Sequence, residues 1–88
     1  MEGLTETQKT AFLKAFGKRL EELIYGKFES KQKFLRDSGF YKNTLHNIIT
    51  GDVDPQLTTL YRLSLELGIP LEDLVKSVTE EKAKNKGK

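Results

Sequence analysis

The chain contains no cysteine. A disulfide framework and a thiolate metal site are therefore excluded, and a reducing cytoplasm is the expected setting. No apolar run approaches the roughly 18 residues that a membrane-spanning helix needs, so no membrane partner is expected. The start, Met1-Glu2-Gly3-Leu4-Thr5-Glu6, is acidic and polar, unlike a secretory leader. No alternation of apolar and polar residues marks a strand, and no internal repeat is visible. His46 is the only histidine. With no second histidine and no cysteine to join, it does not make a metal site. Glu21-Glu22 and Glu80-Glu81 are sequence neighbours, so the two carboxylates of each pair point to different helix faces and build no acid–base site. No nucleophile stands beside an organised base, no glycine loop is shaped for phosphate, and Asp52-Val53-Asp54 is too short for a calcium loop. No enzymatic activity, metal or cofactor is expected.

What is present suits one small globular domain. The 88 residues leave room for one core, and 36% hydrophobic residues are too many for wholesale disorder. The net charge of +2 says little about partners, but its distribution says more. Residues 30–50 carry Lys31, Lys33, Arg36 and Lys42 against Asp37 alone. Residues 51–78 carry Arg62 and Lys76 against Asp52, Asp54, Glu66, Glu72 and Asp73. A polyanion would meet the basic middle third first, although chance clustering on a solvated surface gives the same counts.

Helical periodicity runs almost throughout. Phe12, Leu13, Phe16, Leu20, Leu23 and Ile24 predict a first helix from about Thr7 to Tyr25, with Gly26 as its stop. Ser30 is a good cap for a short second helix carrying Phe34 and Leu35 and ending at Ser38-Gly39. A third helix is predicted from Tyr41 or Lys42 to Thr50, with Leu45, Ile48 and Ile49 inward and Gly51 at its end. Pro55 biases Asp54 away from helix. Leu57, Leu60, Leu63, Leu65 and Leu67 then mark a fourth helix closed by Gly68. Pro70 suits the first turn of a fifth, with Leu71, Leu74, Val75 and Val78. Residues 79–88 are lysine-rich and apolar only at Ala83, which predicts a flexible tail after a domain of residues 1–78.

The stretch from Ser30 to Gly51 is the informative one. Two short helices flank a glycine-containing turn, as a DNA-binding helix-turn-helix requires. On the third helix, Lys42, Asn43, His46, Asn47 and Thr50 fall in one stripe opposite the apolar face. Asparagine can pair with adenine through two hydrogen bonds, and lysine donates to guanine or to phosphate. Any surface helix also shows polar residues outward, so the stripe alone does not decide between the two.

Residues 30–51 resemble the helix-turn-helix of the lambda repressor, Cro and Xre family. Phe16-Gly17-Lys18-Arg19-Leu20 and Leu23 are similar to that family's first helix. Asp54-Pro55 with Leu57, Leu60 and Leu63 resemble its fourth, and Leu67-Gly68-Ile69-Pro70-Leu71-Glu72-Asp73-Leu74 its usual ending. The resemblance spans roughly residues 12–75. It implies an all-α, compact bundle of about five short helices, lambda-repressor-like, with a central helix-turn-helix. It also implies sequence-specific binding of double-stranded DNA as a repressor-like transcriptional regulator, and a homodimer on a two-fold site. By the same resemblance the second helix crosses the DNA backbone, with Lys31 and Gln32 at its start, and the third enters the major groove. Tyr41, Lys42 and Asn43 then sit nearest the bases, His46 and Asn47 one turn further in, and Thr50 near the backbone at the far end.

Four positions depart from the family's pattern, two of them as a pair. Leu35 stands where a small alanine is usual and forces either a wider crossing of the second and third helices or a repacked neighbour. Tyr41 stands where a capping Ser or Thr is common, at a cost of about 1 kcal/mol. Ile24 and Ile49 replace an arginine and a glutamate that form a buried ion pair in many relatives. Joint replacement avoids a stranded charge and suggests that the two isoleucines touch. The alternative reading is a protein-interaction or antitoxin-like module on the same fold, using the acidic, leucine-rich fourth and fifth helices to hold a partner.

Overall fold

The computed structural model describes residue 3, residues 5–76 and residue 78. All regular structure among these residues is helical: α1 Glu6–Phe28, α2 Lys31–Ser38, α3 Lys42–Thr50, α4 Leu57–Leu67 and a fifth segment, α5, over residues 71–76. The expected tail at residues 79–88 lies outside the described residues.

α1 is fixed at its start by a reciprocal cap. The Gln8 amide donates to Thr5 Oγ1 at 3.0 Å, and the Thr5 amide donates to Gln8 Oε1 at 3.0 Å. Two N–H groups that a helix start leaves open are thereby satisfied. Gly26, expected to stop the helix, does not. α1 continues to Phe28 and closes at Glu29, whose φ of 74° is left-handed. The cause is tertiary. The Phe28 ring meets Phe34 edge-on with centroids 5.0 Å apart, and Lys27 Nζ lies 3.5 Å from the Glu66 carbonyl oxygen. Anchors on both sides of the last turn outweigh the roughly 1 kcal/mol an interior glycine costs.

The three shorter helices end where the sequence places their glycines: Gly39, Gly51 and Gly68 follow α2, α3 and α4 at positive φ. Ser30 caps α2 by accepting from the Lys33 amide at 3.1 Å. α1 is the spine on which the others pack, α3 most closely, then α2 and α4. Phe16, Leu20 and Ile24 of α1 meet Phe34, Phe40, Leu45, Ile48, Leu63, Leu67, Leu74 and Val78 in one core. Phe34, Leu20, Ile24, Leu45, Leu63 and Leu74 are fully buried, each worth about 2–3 kcal/mol of transfer energy.

One glycine sets how near α3 comes to α1. A Cβ on Gly17 would stand 2.0 Å from the Ile49 carbonyl oxygen and 2.7 Å from that of Ile48. The two backbones touch there with no side chain between them. Ile49 therefore meets α1 through its carbonyl at Gly17. Ile24 lies seven residues further along α1, about 10 Å away. Both isoleucines belong to the core, with Ile24 fully buried and Ile49 at its edge.

Two leucines of α4 stay outside the core. Leu57 is 70% exposed and Leu65 is 61% exposed. Leu63, Ser64 and Leu67 take the buried side instead, so the leucine-rich run is wider than the face that α1 can cover.

Candidate nucleic-acid interface

Residues 39–41 join α2 to α3, and three hydrogen bonds hold the junction. The Gly39 amide donates to the Leu35 carbonyl at 2.9 Å. The Phe40 amide donates to Ser38 Oγ at 3.2 Å. Arg62 Nη2, from α4, donates to the Ser38 carbonyl at 2.7 Å. The Arg62 guanidinium also lies 4.2 Å from the Phe40 ring centroid. Phe40 in turn stacks on Phe34 at 5.7 Å, and Phe34 meets Phe28 at 5.0 Å. A column of three rings capped by a cation therefore ties α1, α2 and α4 to the junction.

With Phe40 anchored inward, Tyr41 is turned out and is 80% exposed. It begins α3 without a side-chain capping bond, as its residue type predicts. Lys42 and Asn43 follow on the first turn and His46 on the next, all three exposed. Lys31 and Gln32, at the start of α2, line a pocket of about 160 Å³ together with Leu35, Lys42, Leu45 and His46. The pocket is the gap between α2 and α3, which approach each other less than either approaches α1. Leu35 fits that wide approach, being too large for a close crossing. No acidic side chain lines the gap, and α3 has none along its length.

The remaining site residues differ from expectation in degree. Asn47 and Thr50 are half-buried. Thr50 Oγ1 donates to the Asn47 carbonyl at 3.3 Å, so its hydrogen is already committed within the helix end. Lys31 is half-buried, and its ammonium lies 3.2 Å from Glu21 Oε2 of α1. A phosphate arriving there must share Lys31 with Glu21.

The structure also groups residues that the sequence reading left out. Thr44, Thr58 and Thr59 surround an open pocket of about 330 Å³ with Phe40, Tyr41 and Arg62. Thr44 was hidden because it stands only about 40° from the buried Ile48 on a helical wheel. Thr58 and Thr59 reach the site through the fold alone.

Among the described residues no helix is long and apolar enough to cross a membrane, and no group of three or more His, Asp or Glu is placed to hold a metal ion. Comparison with known proteins returned no match, whether to a family model, a curated protein or a solved structure. Fold and site thus define a class by themselves: a small all-α protein with one polar, acid-free helix face beside a basic helix start.

Proposed function

We propose that this protein binds double-stranded DNA in a sequence-dependent way, as a lambda-repressor-like transcriptional regulator of two-fold sites. α3 enters the major groove with Tyr41, Lys42, Asn43 and His46 at the base side, the Lys42 ammonium reaching phosphate as well. α2 lies over the backbone, with Lys31 and Gln32 near phosphate, and Asn47 and Thr50 at the margin. The carrying observation is the α3 face itself: exposed lysine, asparagine and histidine in one stripe with no acidic residue, beside an exposed tyrosine at the helix start. It is held at a junction that hydrogen bonds and ring contacts make rigid. Hydrogen-bonding groups on a rigid exposed helix suit base-edge recognition, and the flanking lysines suit phosphate.

Point variants test the assignment on a duplex selected from a random pool. Lys42→Ala and Lys31→Ala should weaken binding to every sequence and flatten the salt dependence by about one unit of log–log slope each. The Lys31 effect should be the smaller, because Glu21 already holds that ammonium. Asn43→Ala should instead lose about 1–3 kcal/mol of preference at one base pair. If Asn43→Ala binds selected and random duplexes with an unchanged ratio, α3 does not read bases.

A second reading has its own observation. The exposed apolar residues of α4 suit an adaptor or antitoxin-like module that holds a protein partner. In that case the α3 variants leave partner binding intact and α4 variants abolish it.

A further inference from the structure

α4 buries one face and leaves another apolar face open. Leu57 is 70% exposed, Tyr61 54% and Leu65 61%. Their spacing, i, i+4 and i+8, places them in one stripe about 12 Å long. Single exposed leucines need no explanation, but three large apolar side chains in register do.

We propose that this stripe is a homodimer interface, with α4 of a second copy of this chain lying antiparallel across a two-fold axis at Tyr61. The proposal rests on the dimeric reading above and names its surface. Leu57, Tyr61 and Leu65 read the same from either end. In the antiparallel pair, Leu57 faces Leu65 of the second copy, and Tyr61 faces its own counterpart. That is the self-complementarity an isologous interface requires.

Charge agrees with the same register. In it, the turn that leads into α4 of one copy, which holds Asp54, approaches the end of α4 of the other, where Gly68 stands. Asp54 is exposed, and among the described residues its ion-pair partner is Lys9, 3.8 Å away. At Gly68 stands an ammonium: Lys27 Nζ would be 2.9 Å from a Cβ there and lies 3.5 Å from the Glu66 carbonyl oxygen. Each end of the pair therefore sets an Asp54 carboxylate toward a Lys27 ammonium, twice by symmetry. The two helix dipoles also oppose one another. The stripe carries no charge of its own to repel its copy.

The geometry also orients the α3 faces. Thr58 and Arg62 each follow a stripe residue by one position, on the flank that borders Tyr41 and Thr44. A two-fold axis perpendicular to both antiparallel helices turns that flank of each copy the same way. Both α3 starts then face one side, as a two-fold DNA site requires.

Cysteine cross-linking of the full chain tests the register without DNA. The chain has no native cysteine, so every cross-link reports a placed pair. Tyr61→Cys puts two thiols face to face and should form a covalent dimer under mild oxidation. Leu57→Cys alone places them about 12 Å apart along the pair and should cross-link at least about tenfold more slowly, since a disulfide needs Cα atoms within about 7 Å. The double variant Leu57→Cys with Leu65→Cys should restore fast cross-linking. Sedimentation equilibrium of the unaltered chain should show a dimer at micromolar concentration. Tyr61→Glu should make it a monomer with an unchanged circular dichroism spectrum. A monomer in the unaltered chain, or Leu57→Cys as fast as Tyr61→Cys, overturns the proposal. Retention of a duplex is scored separately. A monomer that retains DNA overturns the pairing and leaves the DNA reading standing, and a Tyr61→Cys dimer that retains none supports the pairing alone.

Discussion

Two glycines of α1 have opposite reasons to be glycine. Gly17 faces the α3 backbone so closely that any Cβ must push the helices apart. Gly26 meets nothing within 4 Å of where its Cβ would stand. The same substitution should therefore change stability in opposite directions. Gly17→Ala should cost about 3 kcal/mol as an overpacked contact against backbone that cannot step aside. Gly26→Ala should gain about 1 kcal/mol through helix propensity. Urea unfolding of both variants checks the pair, and equal effects would contradict the helix–helix contact described here. In the sequence Gly26 reads as a helix stop and this contrast is not legible, because only the approach of α3 shows which glycine must lack a side chain. The capping box was legible in Thr5 and Gln8, three residues apart, yet a reading that begins at the first apolar residue starts too late to meet it.

At the scale of elements, the helices and their ends were largely readable, since Ser30, Gly39, Gly51 and Gly68 each act locally. The stop of α1 was not, because Phe28 and Lys27 hold the last turn through partners on α2 and α4. Which leucines of α4 are buried was not legible for a related reason: periodicity shows that Leu57 and Leu65 are apolar, not whether anything in the chain covers them. α3 carries the clearest compromise. Tyr41 occupies a capping position that it cannot fill with a hydrogen bond, and it points its ring to solvent. Tyr41→Ser should stabilise the protein by about 1 kcal/mol through a new cap. If the ring lies against DNA, the same variant should bind its selected duplex more weakly. Thermal unfolding and duplex binding measured side by side check this. A stabler variant with undiminished affinity would remove Tyr41 from the interface. Such a trade of stability for surface chemistry is common at functional positions.

For the whole molecule, charge is arranged rather than abundant. The net charge is only +2, yet the acidic residues of the second half lie beyond α3, and the gap between α2 and α3 is lined by none. On the proposed reading, and among the described residues, attraction to DNA should come mainly from this face, giving a modest salt slope per chain and a steeper one for a pair. The sequence showed the polar stripe of α3 as residue types at helical spacing. It did not show that Thr50 turns its hydroxyl inward, that Glu21 holds Lys31, or that Thr58 and Thr59 arrive beside Tyr41. Each of those follows from how helices pack, and packing is set by contacts far apart in the chain. The most direct test of the central claim is selection from a random-sequence duplex pool at two salt concentrations, reading enrichment and salt slope together. Enrichment of a palindromic site, with half-sites about one helical turn apart and affinity falling steeply as salt rises, is the predicted result. No enriched sequence and no salt-dependent retention would contradict it.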